Sequence, residues 1–450
     1  KIHVNKDSSI LFKCTTNKCS ASITVDTSNN MIRESGKHDH EVRMEEEIRN
    51  VIRGMKRKLQ EDPSRPIPQV YEEERAIFGR AGGAVGKLPR LEGVKSTLYR
   101  TRLDQLPPLP KSADNLQIPP AMSKTLNDQQ FLIYCSNQIV SYCSPFGISM
   151  LSQTFHWNAD GTFQTCPQLF SQSYTIHAFD SYSMKPGLFS ALPSKEESTY
   201  GEMLTGLKKA ATSLGILLQP QTILIDFELA AYNAFSEAFP NAIVKGCYFH
   251  FTQNIWKRIQ KLHLVKECKD QTVRREIANI MSLPLLPAHE IDTVMELVID
   301  VLSNISVKFL KLTDYVVTNY VEKERFDISF WNLYDIIGRR PRTNNHLEGW
   351  HRYQNSKMAT HPNIWSWVEN IKKEEESARF DHEQEIYQQL PSKRIAKSSL
   401  INEQRLIDAK QMYESTKNLE EYRKIVRAKA YNSLYEHETA ATKKDKEDGA

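Results

Sequence analysis

Apolar positions along the chain change their period several times, and each change marks a region. Short β-type runs at Ser9 to Lys13 and Ala21 to Val25, with turn residues Thr27 to Asn30, predict a small sheet over residues 1–42. Such a sheet is too thin to fold on apolar burial alone, so something must staple it. From Met44 the residues Met44, Ile48, Val51, Ile52, Met55 and Leu59 recur at helical spacing until Asp62-Pro63, Pro66 and Pro68 end the run. This predicts a helical module over residues 43–105.

The run from Leu106 to Pro120 carries Pro107, Pro108, Pro110, Pro119 and Pro120, which predicts a linker over residues 106–126. Beyond it strand-like and helix-like stretches alternate. Gln130 to Tyr134, Ile148 to Phe155, Tyr174 to Ala178 and Thr222 to Ile225 read as strands, and Glu197 to Leu214 and Leu229 to Phe239 as helices. Alternation of this kind predicts an α/β domain, placed at residues 127–360. Its later part, about residues 262–340, reads as helical, with Ile291, Val294, Met295, Val298 and Leu302 on one apolar face. Long charged helices follow over residues 361–436, and the polar end, residues 437–450, is predicted to be a disordered tail.

Composition narrows the picture. A chain of 450 residues has room for two or three units with at least one sizeable core, and 40% hydrophobic with 25% charged residues describes an ordinary globular protein. No stretch approaches the length of a membrane span. The chain opens with Lys1 and shows no apolar leader, which predicts a protein that is not secreted and leaves open an N-terminal truncation. Seven scattered cysteines suit a reducing compartment with one metal site rather than a disulfide framework.

The net charge of +4 by itself says little about a polyanionic partner. Distribution says more: between Arg75 and Arg102 there are seven basic residues against the single acid Glu92. Lys95, Arg100 and Arg102 are therefore candidate phosphate contacts, which would position DNA without reading its sequence. Lys56-Arg57-Lys58 is a short basic run of the kind that serves nuclear import, so the nucleus is the expected location.

Candidate metal chemistry falls in two places. Cys14-x4-Cys19 followed by His38-x-His40 supplies two thiolates and two imidazoles, enough for one closed, structural Zn2+ and for the missing staple. Farther on, Asp160 lies in Trp157-Asn158-Ala159-Asp160-Gly161-Thr162-Phe163, read as a strand end where Gly161 permits a turn, and Asp226 follows the apolar run Ile223-Leu224-Ile225. Carboxylates at strand ends are where sites of open α/β sheets form. Cys247 and His250, three apart at the start of a predicted helix, share a face, and one reading of the pair is a buried thiol beside a hydrogen-bonded histidine.

These residues carry a family resemblance. Asp160-Gly161-Thr162-Phe163, Ala191-Leu192-Pro193-Ser194-Lys195, Asp226-Phe227-Glu228 with Ala230-Ala231, Phe239-Pro240, and Gly246-Cys247-Tyr248-Phe249-His250 resemble the Mutator-like element (MULE) transposases. Thr343-Asn344-Asn345-His346-Leu347-Glu348-Gly349-Trp350-His351 resembles the family's segment with the third acid. The first module resembles a FLYWCH-type zinc finger, with Phe12 before the first cysteine and the usual Trp missing.

The resemblance implies a ribonuclease-H-like (DDE transposase/integrase) core with a helical insertion between Asp226 and Glu348, preceded by the β-rich finger and the helical basic module. It implies that Asp160, Asp226 and Glu348 are catalytic and hold two Mg2+ or Mn2+ ions, and that Cys247 and His250 lie at the pocket or contact DNA, while Glu228 reads as an accessory or helix-start carboxylate. The implied activity is DNA strand cleavage and strand transfer on double-stranded DNA, both transposon ends and target, by a homo-oligomer assembled there. A domesticated, DNA-binding transcriptional regulator without transposition is the alternative, and a ribonuclease on the same fold a third. His346 and His351 flank Glu348, where they could touch substrate, but are expected on a helix surface.

Overall fold

The computed structural model describes residues 2–5, 7–14, 19–38, 46–136, 138–179, 183–322, 325–338, 345–390 and 397–447. His40, Thr343 and Asn344 lie outside the described residues, as do the side chains of His346 and Glu348. The chain divides into two compact units, residues 1–62 with 67–105 and residues 63–66 with 106–450.

In the first unit β1 (Ile2–Val4), β2 (Ile10–Lys13), β3 (Ser22–Val25) and β4 (Met31–Ser35) form an antiparallel meander in chain order. β4 is exposed along its whole length, so burial contributes little to this sheet. α1 (Glu46–Glu61), α2 (Ile67–Arg80) and α3 (Leu91–Leu103) enclose their own core of Ile48, Val51, Met55, Leu59, Val70 and Leu98, the apolar face that the periodicity predicted. Sheet and helices belong to one unit, where the sequence suggested two modules.

The second unit is built on a mixed sheet of β5 (Leu132–Cys135), β6 (Val140–Tyr142), β7 (His156–Thr162), β8 (Gln172–Phe179), β9 (Met184–Leu192), β10 (Thr222–Ile225) and β11 (Ile243–Gly246). Among the described residues its order is β11-β10-β7-β8-β9-β6-β5. β10 runs parallel to both β7 and β11, whereas β7, β8, β9, β6 and β5 pair antiparallel in succession. Two helices, α4 (Pro145–Gln153) and α5 (Glu197–Ser213), fall between strands, and α6 (Leu229–Ala238) makes the crossover from β10 to β11. α7 (Tyr248–Lys261) leaves the end of β11.

Side chains of a strand alternate between faces, and the alternation sorts the sheet into two cores. Tyr174, Ile176 and Ala178 of β8 join Trp157 and Ala159 of β7 in the larger core, with Tyr200, Leu204 and Phe235 from α5 and α6. On the opposite face Ser173 accepts a hydrogen bond from Trp367 Nε1 at 3.3 Å, and the His177 ring meets Trp350 edge-on. Those two tryptophans come from α12 (Asn345–Lys357) and α13 (Ile364–Gln388).

Between α7 and α12 in sequence, α8 (Gln271–Ser282), α9 (Ile291–Ile305), α10 (Leu310–Val316) and α11 (Ile328–Trp331) make the helical stretch expected there, and Ile291, Val294, Met295, Val298 and Leu302 are its buried face on α9. α14 (Lys397–Thr416) and α15 (Leu419–Glu447) then return: Leu406, Tyr413, Tyr422 and Val426 are part of the larger core, so the C-terminal helices do not form a separate region.

Three segments depart from the sequence reading. Ile148 to Phe155 is not a strand, because Ser144 caps a helix there: its Oγ accepts from Gly147 N at 3.0 Å, and Pro145 at the first turn suits helix entry. The Pro-rich segment is packed rather than a linker. Leu106 and Met122 are buried with Trp365 and Trp367, and Pro108 O accepts from Trp365 Nε1 at 3.1 Å. α15 runs to Glu447, through most of the tail predicted to be disordered; charged residues with high helix propensity extend a helix already anchored by its buried N-terminal part.

Candidate functional site

The parallel register of β10 and β7 assembles the site. Thr222 pairs with His156 and Leu224 with Asn158, so the chain after β10 places Asp226 beside Asp160. Asp160 lies within β7, not at its end, since the strand continues through Gly161 to Thr162. It is therefore held by the ladder to β8, opposite Thr175. Asp226 sits just past β10, where its Oδ1 accepts from Phe227 N at 2.5 Å.

The second parallel pair brings the histidine. Cys247 N donates to Ile225 O at 2.9 Å, which starts α7 directly beside Asp226. One helical turn later His250 lies with Nδ1 3.6 Å from Asp226 Oδ1 and Nε2 3.9 Å from Asp160 Oδ2. One ligand atom from each of Asp160, Asp226 and His250 falls within 4.8 Å of the others. From α12, His351 Nδ1 approaches Asp160 Oδ2 to 3.7 Å. The sequence put His351 on a helix surface; it is buried instead, because α12 packs that side against the sheet.

Burial differs across the pair of acids: the Asp160 side chain is 8% exposed and that of Asp226 is 43% exposed. Desolvation pushes the Asp160 carboxyl above its usual range and the nearby Asp226 charge adds to this, while His250 and His351 partly counteract it. Burial also works against charge on His250, but its hydrogen bond with Cys247 and the carboxylates of Asp160 and Asp226 outweigh it and hold the imidazole well above its usual value. His351 is lowered by burial, with Asp160 opposing. Nδ1 of His250 and Nε2 of His351 are both buried without a hydrogen-bond partner. Asp160, Asp226 and His250 form a donor set of two carboxylates and an imidazole that a divalent cation would satisfy.

A cavity beside the acids is bordered by Phe163, Tyr174, Lys195 and Glu228. Glu228 is held by Tyr200 OH at 3.1 Å and Lys195 Nζ at 3.1 Å, and Lys195 Nζ lies 4.9 Å from the centre of the exposed Phe163 ring. Sequence reasoning did not single out Tyr200; its place is set by α5 packing on the sheet, which leaves no local signal. Glu348 lies on α12 one turn before His351, and its side chain is outside the described residues.

In the first unit Cys14, Cys19 and His38 bring one ligand atom each to within 4.8 Å, with Cys19 Sγ 3.5 Å from His38 Nδ1. Among the described residues no cysteine is joined in a disulfide. Of the candidate phosphate contacts on α3, Arg100 is exposed and Lys95 partly so, 3.8 Å from Glu92. Arg102 is a correction: it is buried, its guanidinium 5.5 Å from the centre of the Tyr99 ring, because it falls on the helix side that carries Val94 and Leu98. Burial accordingly lowers its pKa.

No helix among the described residues is long and apolar enough to cross a membrane. Comparison with curated proteins returned no match. A family model described as the MULE transposase domain matches residues 156–254, the span that begins with β7 and contains Asp160, Asp226, Cys247 and His250. That match supports the MULE family and, with it, a transposase-related function whose partner is DNA.

Proposed function

We propose that the chain is a metal-dependent DNA transposase that cleaves DNA strands and transfers the freed ends to target DNA. The observation that carries the proposal is the meeting of Asp160, on β7, with Asp226, just past the parallel neighbour β10, inside the matched span. The order β9-β8-β7-β10-β11, antiparallel then parallel, supports a ribonuclease-H-like core, and α8 to α11 support the insertion between Asp226 and Glu348.

Asp160 and Asp226 would hold Mg2+ or Mn2+, with Glu348 as third ligand; positions three apart on α12 adjoin, and His351 of that pair meets Asp160. Bound ions would activate the attacking oxygen and stabilise the leaving one. The chain's own part is positioning: Asp160 is rigid within a ladder, Asp226 faces solvent where a phosphate can approach, and Lys195 stands at the rim with its charge toward Glu228.

Cys14, Cys19 and His38, completed by His40, would bind a structural Zn2+ in a FLYWCH-type finger that assists DNA binding together with Lys95 and Arg100. On this reading the protein works in the nucleus and assembles as a homo-oligomer on DNA. Nicking of supercoiled plasmid by the full chain in Mg2+ or Mn2+ tests the proposal. D160N, D226N and E348Q should each reduce nicking at least about a hundredfold; wild-type cleavage by D226N would refute it.

A further inference from the structure

The fold leaves a nitrogen atom over at the carboxylate pair. His250 Nδ1 is buried, has no hydrogen-bond partner, and lies 3.6 Å from Asp226 Oδ1. Burying such an atom costs free energy unless something coordinates it. Its direction is fixed by the helix that carries it: Phe251 stacks on Trp331 with ring centres 5.6 Å apart, and Thr252 Oγ1 contacts His437 Nε2 at 3.0 Å. The imidazole is thus preorganised at the acids rather than swept there by a flexible loop.

Donor atoms sharing one small divalent ion lie about 3 to 4.4 Å apart at bond lengths near 2.0–2.2 Å. The 3.6 Å separation of His250 and Asp226 already falls in that interval, and the full set of one atom each from Asp160, Asp226 and His250 lies within 4.8 Å. On the carboxylate-site reading above, we infer that His250 supplies a nitrogen ligand to the ion held by Asp160 and Asp226, which makes the site prefer Mn2+ to Mg2+. Mg2+ is a hard cation that keeps to oxygen ligands and water, whereas a transition ion accepts imidazole beside carboxylate. The inference goes beyond an all-carboxylate site because it adds a ligand from α7 and sets the choice of ion.

Mn2+ and Mg2+ are titrated separately into the zinc-loaded full chain by calorimetry, and electron spin echo modulation is recorded on the Mn2+ complex. The expected result is Mn2+ affinity at least about tenfold above that for Mg2+, with a nitrogen-14 coupling in the wild type. In H250A, and in H250Q where an amide replaces the ring at similar volume, that advantage should collapse while Mg2+ affinity stays within about twofold. A wild-type complex without nitrogen coupling overturns the inference, and this readout needs no variant to fold. So does D226N losing both ions while H250A keeps the wild-type ratio. If D226N binds both ions as the wild type does, the carboxylate site itself fails, and the inference with it.

Discussion

Gly246, the last residue of β11, tests whether packing behind the acids sets their position. A β-carbon at this position would lie 2.8 Å and 2.9 Å from Cζ and Cε2 of Phe227 and 3.1 Å from Cε1 of Phe330. Phe227 has nowhere to go: its ring is caged by Phe251, Tyr320, Phe326 and Phe330 at centroid distances of 6.0, 5.7, 5.2 and 5.3 Å. Overpacking of this sort costs about 1–3 kcal/mol. Phe227 directly follows Asp226 and donates its amide to that carboxylate, so the strain passes to the site. A shift near 1 Å in a reacting group lowers rates by about a hundredfold. G246A is thus expected to lose about 1–3 kcal/mol in urea unfolding and to lose plasmid nicking far beyond its loss of folded protein. Adding F227L, which vacates the clashing ring atoms, should restore part of both. If G246A unfolds and nicks DNA as the wild type does, the ring cage is not what places Asp226.

Further outcomes follow from other parts of the fold. Lys185 and Glu385 form an ion pair with side chains 3% and 1% exposed, joining β9 to α13; E385Q should cost about 3–5 kcal/mol in denaturant unfolding by leaving the buried ammonium without its counter-charge, and K185M/E385L should recover most of it. His437 is depressed to about 4 by burial, with Lys257 adding to the effect, against an ordinary value of 6.5. Its neutral form favours the fold fully above about pH 6.5, and that contribution, at most roughly 3 kcal/mol, is lost as pH falls toward 4; thermal unfolding of H437Q should show a shallower acid slope than wild type, and equal slopes would remove His437 as a cause. Chelation of the full chain should release one zinc ion, counted with a colorimetric reporter, and C14S should release none; a zinc-free wild type would leave Cys14, Cys19 and His38 without that role.

What the sequence determined by itself was local. The apolar face of α9, the exact strand Thr222 to Ile225, and, to within a residue, the helices Glu197 to Ser213 and Leu229 to Ala238 lie where the local pattern put them, since helix and strand periods act over a few residues. The identity of Asp160, Asp226 and the Cys247/His250 pair as candidates was also legible, because each sits in a short motif that a local window contains. The tertiary structure alone decided which of these meet. Whether Asp160 faces Asp226 depends on the register of two strands far apart in sequence, and whether His351 and Arg102 are buried or exposed depends on which side of α12 and α3 other elements cover. It likewise turned a Pro-rich stretch from a linker into packed structure by offering Trp365 and Trp367 to bury against. Local chemistry selects the elements; long-range packing, which no short window of sequence contains, selects their neighbours and so makes the site.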